Sequence, residues 1–238
     1  MNFIFLYFIA FAAALAVALI ALPLWRKGCL RAGLVDDPGH RKIHHEPVPL
    51  AGGLAVMTAL VLPAAAAIIA ISIPLPILNA ETIRLLRHGL LVRWPELTAI
   101  FLGAFGMLLV GVLDDKHELR PAVKFSGQFL IALLVAASGI RITLFVPNII
   151  FSYVVTIFWI LTVVNAFNFM DNMNGLCGGL GAIGAFYFAL ISAHAGQYLV
   201  ALIASLACGA LVGFLPYNFP RAKAFLGDAG SHLVGYLL

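Results

Sequence analysis

Asn172–Pro220, NMNGLCGGLGAIGAFYFALISAHAGQYLVALIASLACGALVGFLPYNFP, contains no Asp, Glu, Lys or Arg. Roughly 20 apolar residues cross the hydrocarbon core of a bilayer, so this stretch is long enough for two helices in lipid. Its small polar break, Ser192-Ala-His194-Ala-Gly196-Gln197, divides it into those two spans. Working outward, uncharged runs recur at Asn148–Phe167, Phe125–Ile140, Leu97–Leu113, Leu50–Ile73 and Phe3–Leu24, and Ser231–Leu238 begins one more. In lipid the backbone must satisfy its own hydrogen bonds, which selects helices for such runs. The predicted fold is all-α, a polytopic transmembrane helix bundle of about eight spans. Composition agrees, since 63% of the residues are hydrophobic and 10% charged, whereas about a quarter are charged in soluble domains.

Charge fixes the orientation. If the spans alternate, Arg26, Lys27, Arg31, Arg41, Lys42, Lys116, Arg120, Lys124, Arg221 and Lys223 share one side, against Arg84, Arg87, Arg93 and Arg141 on the other. The positive-inside rule makes the first side cytoplasmic and puts the N-terminus outside. Basic residues dispersed through short loops, despite a net charge of +4, point to membrane lipid and not to nucleic acid as the neighbour. Cys29, Cys177 and Cys208 show no disulfide or zinc spacing. Residues 1–238 read as a single integral membrane domain that stops inside an apolar run, and therefore as incomplete at the C-terminus.

Acidic residues contribute little to orientation, yet Asp36, Asp37, Glu46, Asp114, Asp115, Glu118, Asp171 and Asp228 all fall on the cytoplasmic side, leaving only Glu81 and Glu96 outside. Asp114-Asp115 closes the third span, Asp171 closes the fifth, and Asp228 precedes the eighth. Any one of these could merely mark where a helix leaves lipid. Their company suggests more. Asn165, Asn168 and Asp171 recur three apart, on one face of a continuing helix. Phe225-Leu-Gly-Asp228-Ala-Gly-Ser231 sets a carboxylate between glycines ahead of a helix N-terminus, a position suited to phosphate or a phosphate-bound metal. Hard oxygen ligands without a His/Cys cluster favour Mg2+, with Mn2+ as the alternative, and so phosphoryl chemistry. Arg41-Lys42-Ile-His44-His45, ahead of Pro47-Val-Pro49-Leu-Ala-Gly52-Gly53, adds cations that either anchor the loop at lipid headgroups or hold substrate phosphates.

These motifs resemble the polyprenyl-phosphate N-acetylhexosamine-1-phosphate transferases. Gly33–Gly53 is similar to the first cytoplasmic loop of the branch that uses UDP-N-acetylglucosamine, and less so to the phospho-N-acetylmuramoyl-pentapeptide branch. Gly111-Val-Leu-Asp114-Asp115, with Lys124 and Gln128, resembles the paired-aspartate motif of that family. Asn165-Ala-Phe-Asn168-Phe-Met-Asp171 and Ala224-Phe-Leu-Gly-Asp228-Ala-Gly-Ser231 resemble its third and fourth signatures. The resemblance implies transfer of N-acetylhexosamine 1-phosphate, GlcNAc-1-phosphate above all, from a UDP-sugar to undecaprenyl phosphate with release of UMP. It implies a multi-pass protein of the bacterial inner membrane with a cytoplasmic active site, initiating envelope polysaccharides; assembly as a homodimer is left open. It further implies that Asp114 and Asp115 are catalytic and that Asp228 and Asp171 hold Mg2+. Asn165, Asn168, Asn174, Lys124, Arg41, Lys42 and His44 would bind substrate.

Two departures stand out. Asn174 occupies a position that is Asp in many members, keeping an acceptor oxygen without the charge. The His-rich cytoplasmic motif of the family lies beyond the eighth helix and is not among these residues. A truncated, inactive protein that binds lipid phosphate is the rival expectation. A transporter is disfavoured, because its spans should carry the charge and here the charge lies at one rim.

Overall fold

A computed structural model describes residues 3–38, 46–73 and 80–238. Among them are nine helices: α1 (Phe3–Ala32), α2 (Gly52–Ser72), α3 (Ala80–Val92), α4 (Trp94–His117), α5 (Pro121–Ala137), α6 (Ile149–Met170), α7 (Leu176–His194), α8 (Tyr198–Asn218) and α9 (Gly227–Leu237). A two-residue antiparallel ladder joins β1 (Val35–Asp36) to β2 (Val48–Pro49).

Six helices, α1, α2, α4, α6, α7 and α8, are long and apolar enough to cross a membrane. The all-α polytopic reading therefore stands. The charge-free stretch divides as expected, at the 195–197 break between α7 and α8. The remaining two expected spans are short: α5 has 17 residues and α9 has 11, against the ~20 that cover the hydrocarbon core. Residues 80–92, expected as loop, form α3, whose Leu86 is buried while Leu91 is exposed. The end of α1 also shifts outward. At about 1.5 Å per residue the 30 residues of α1 reach roughly 45 Å, past a hydrocarbon core of about 30 Å. Its last turns thus carry Arg26, Lys27 and Arg31 as helix, and end where Gly33 takes φ 67° and Leu34 N–H reaches back to the Cys29 carbonyl at 2.9 Å.

The outer surface carries Phe8, Ile20, Leu134, Ile150 and Phe158, each more than half exposed, as lipid-facing side chains must be. At the centre lies α9, packed on α4, α6, α2 and α7, with Ala229–Gly235 buried. Small residues permit this depth. A Cβ on Gly53 would meet the Gly230 backbone, one on Gly111 the Ala229 backbone, and one on Gly235 the Val164 backbone. With lipid on one side and protein on the other, close backbone approach replaces the hydrophobic effect as the force between helices.

Two features fix the start of α9. The segment entering α2 pairs with the segment entering α9: Phe225 N–H donates to the Pro49 carbonyl, and Gly52 and Gly53 N–H donate to the Phe225 and Leu226 carbonyls, at 2.9–3.2 Å. The Asp115 carboxylate then accepts the first amides of α9, from Asp228 at 2.8 Å and Ala229 at 3.1 Å. A side chain of α4 thus takes two amides that a phosphate would need, which disfavours the phosphate half of the reading of that N-terminus and leaves the phosphate-bound metal. The Pro47–Gly53 motif likewise serves here to seat α9.

Replacing Gly111 by Val should destabilise the protein by about 1–3 kcal/mol through the clash with Ala229. Gly179→Ala, where a Cβ meets nothing within 4 Å, should leave thermal unfolding in detergent unchanged or raise its midpoint. Equal midpoints for the two variants would contradict the central packing of α9.

Candidate active site

The turn after α4 is rigid by sequence. Glu118 adopts a left-handed conformation, φ 46°, its N–H bonds to the Asp114 carbonyl at 2.8 Å, and Leu119 N–H bonds to Asp114 Oδ1 at 2.8 Å. Pro121 then starts α5 at a position where its missing N–H has no cost. The result faces Lys124, in the first turn of α5, back onto Asp114.

Lys124 is the hub. Its Nζ lies 2.7 Å from Asp114 Oδ2 and 2.8 Å from Asp228 Oδ2, and donates to Asn168 Oδ1 at 3.1 Å. The Asn168 amide in turn donates to Asp228 Oδ1 at 2.6 Å and to Ser231 Oγ at 3.0 Å. Residues from α4, α5, α6 and α9, up to 114 positions apart, thus converge at one end of the bundle. Asp114 and Asp115 are adjacent on α4 but point about 100° apart, one to Lys124 and the other to the amides of α9.

The asparagine and aspartate triplet does lie along α9. Asp171, the C-cap of α6, takes the Gly227 N–H, Asn168 meets Asp228 and Ser231, and Asn165 sits one turn deeper. The Asn165 amide donates to Gln128 Oε1 at 2.8 Å, and the Gln128 amide meets His232 Nε2 at 3.1 Å, with Gln128 and His232 fully buried. Asn165, expected to bind substrate, is here tied into a buried polar chain beneath the hub. Asn174 is not gathered with the carboxylates: it is exposed and donates to the Pro220 carbonyl at 3.3 Å. Arg41, Lys42 and His44 lie outside the described residues. Sequence reasoning passed over His232. The signal was present, since a polar side chain inside the apolar Ser231–Leu238 run needs a partner.

Asp171 holds its proton to about pH 8, raised first by burial and then by the Asp228 and Asp115 carboxylates, against the opposing pull of the Gly227 N–H. A cation beside this cluster would reverse that balance. The donors fit such an ion. Among the described residues no three His, Cys, Asp or Glu side chains are grouped for a metal, but Mg2+ typically takes one or two carboxylates and completes its shell with water and substrate phosphate. Asp228, Asp114 and the Asn168 amide oxygen already surround one cation, the Lys124 ammonium.

Residues 97–238 match the model of glycosyl transferase family 4. The chain is 33% identical over 236 residues to a probable undecaprenyl-phosphate N-acetylglucosaminyl 1-phosphate transferase of Bacillus subtilis, covering 96% of this chain and 60% of that protein. It is 31% identical over 227 residues to decaprenyl-phosphate N-acetylglucosaminephosphotransferase of Mycolicibacterium smegmatis, covering 88% and 52%. It is 26% identical over 226 residues to undecaprenyl-phosphate alpha-N-acetylglucosaminyl 1-phosphate transferase of Escherichia coli K12, covering 89% and 55%. The chain thus spans between about half and three fifths of the length of these relatives. The matched region runs from the first turn of α4 through α9 and contains every residue of the hub, and on these grounds the chain belongs to glycosyl transferase family 4.

Proposed function

We propose that this chain carries the active site of a transferase that moves N-acetylglucosamine 1-phosphate from a UDP-sugar to a polyprenyl phosphate, undecaprenyl phosphate in particular, releasing UMP. The observation that carries the reading is the convergence of Asp114, Asp228 and Asn168 on one cationic position at a single rim of a membrane bundle. The names of the three relatives supply the polyprenyl-phosphate acceptor and the transferred N-acetylglucosamine phosphate group.

The chemistry follows from charge. A phosphate monoester carries about −1.5 to −2 at neutral pH, so the attacking oxygen of the lipid phosphate needs little deprotonation. The obstacle is bringing it up to a diphosphate that is also anionic. Phosphoryl transfer is governed mainly by positioning and by neutralising this charge. Lys124, on a flexible stem at the start of α5, offers a mobile positive charge to the phosphates. Asp114 and Asp228 set the position of that charge, and Asp115 holds Asp228 in place through the α9 amides. Mg2+ or Mn2+, held by Asp228 with Asn168 and Asp114 and with Asp171 alongside, would supply charge neutralisation on the diphosphate and the leaving UMP.

Orientation belongs to the same proposal. The hub end is cytoplasmic, where UDP-sugars are made, and the N-terminus is outside. The protein sits in the bacterial cytoplasmic membrane. The muramoyl-pentapeptide alternative is less favoured, since these three relatives are named for N-acetylglucosamine.

Asp228→Asn should lower transfer of radiolabelled GlcNAc-1-phosphate to undecaprenyl phosphate by on the order of 10²–10³, the scale of losing a principal electrostatic group. Wild-type activity should vanish with EDTA and return with Mg2+ or Mn2+. Full activity for Asp228→Asn, with unaltered metal dependence, would defeat the assignment. Sidedness is checked separately: a cysteine replacing Arg31 should react with an impermeant maleimide only in inside-out vesicles, and reaction in intact cells would reverse the topology.

A further inference from the structure

We infer that the Lys124 ammonium occupies the seat of the divalent cation in the metal-free protein, and that cation binding displaces it. The inference rests on the metal-dependent transfer proposed above and deepens it. An ammonium has three donors. Its three oxygen neighbours among the described residues, Asp114 Oδ2, Asp228 Oδ2 and Asn168 Oδ1, come from different helices, α4, α9 and α6. They are the hard oxygens a small dication would take.

The two ions cannot share this set. The lysine contacts are 2.7–3.1 Å long, whereas Mg2+ draws oxygens to about 2.0–2.1 Å and demands near-octahedral geometry. Asp114 is buried and the Lys124 side chain is 17% exposed, although Asp228 is 34% exposed, so on the Asp114 side of the site an ammonium and a dication would repel with reduced screening. Of the two, Lys124 is free to move. It hangs on a four-carbon stem in the first turn of α5, whereas Asp114 also holds the Leu119 amide and Asp228 starts the buried α9.

Two consequences follow. Before metal arrives, Lys124 bridges Asp114 and Asp228, so the oxygen cage is organised in advance. After displacement, the freed ammonium stands beside a site about to receive a diphosphate, the nearest remaining negative charge. One residue therefore acts first as a placeholder and then as a phosphate ligand, with the order set by cation binding.

The test uses the purified protein in lipid nanodiscs, with Mn2+ binding followed by electron paramagnetic resonance. Acylation of lysines by an N-hydroxysuccinimide ester is mapped in parallel by mass spectrometry, with exposed Lys27 of α1 as internal reference. Saturating Mn2+ alone should raise the Lys124 rate several-fold relative to Lys27, and adding UDP-N-acetylglucosamine should suppress it again. Lys124→Met should bind Mn2+ more tightly than wild type in the absence of nucleotide, yet lose most of the nucleotide protection of the metal from chelator. Bound Mn2+ with an unchanged Lys124 rate overturns the inference alone. No Mn2+ binding by wild type overturns the metal reading of the site together with it. Should Lys124→Met fail to fold, the acylation of wild type still decides.

Discussion

The carboxylate of Asp115 on the first amides of α9 is the contact on which the site depends. The opening of α9 is buried among α2, α4 and α6, where an unpaired N–H would be costly. The Asp115 carboxyl group satisfies two such groups, at 2.8 and 3.1 Å, and lies at the positive end of the helix. Because the amide of Asp228 is itself one of the two donors, the same bond that seats the helix sets where the Asp228 side chain points. Structure and chemistry are coupled at a single peptide unit.

The glycines make that contact reachable. Gly111 on α4 and Gly53 on α2 leave room for Ala229 and Gly230, so α9 slides in until its first turn meets Asp115. Larger side chains would hold it off. The same depth brings Asp228 against Lys124 and Asn168, and places His232 against Gln128 one turn below. The His232 ring, 3.1 Å from the Gln128 amide nitrogen, links α9 to α5 in the floor of the site. Lipid outside and close-packed small residues within confine the polar chemistry to one rim.

Much of this was legible in the sequence, for identifiable reasons. Charge-free length revealed α7 and α8, and a polar break located their junction, because lipid penalises charge so heavily that spans announce themselves. The clustering of carboxylates on one side announced the rim. Less legible were features that need a neighbour. Asp114 and Asp115 are identical in type and adjacent, and only the arrangement of α5 and α9 separates a ligand of Lys124 from a helix cap. Asn165 shares a face with Asn168, yet one turn of depth moves it from the hub into the buried chain with Gln128. Asn174 follows the α6 end closely in sequence, but the chain turns it toward Pro220. The charged segment that forms α3 read as loop because its Arg and Glu break the apolar run, although its leucines recur at helical spacing.

The central claim is that α9 delivers Asp228 to a cation seat shared with Asn168 and Asp114. Anomalous diffraction from crystals of the protein grown with Mn2+ tests it most directly. The account predicts a single strong peak within about 2.0–2.3 Å of an Asp228 carboxylate oxygen, with the Asn168 amide oxygen or Asp114 in the same shell and Lys124 withdrawn. A peak remote from Asp228, or one beside it with Lys124 still bridging Asp114 and Asp228, would contradict it.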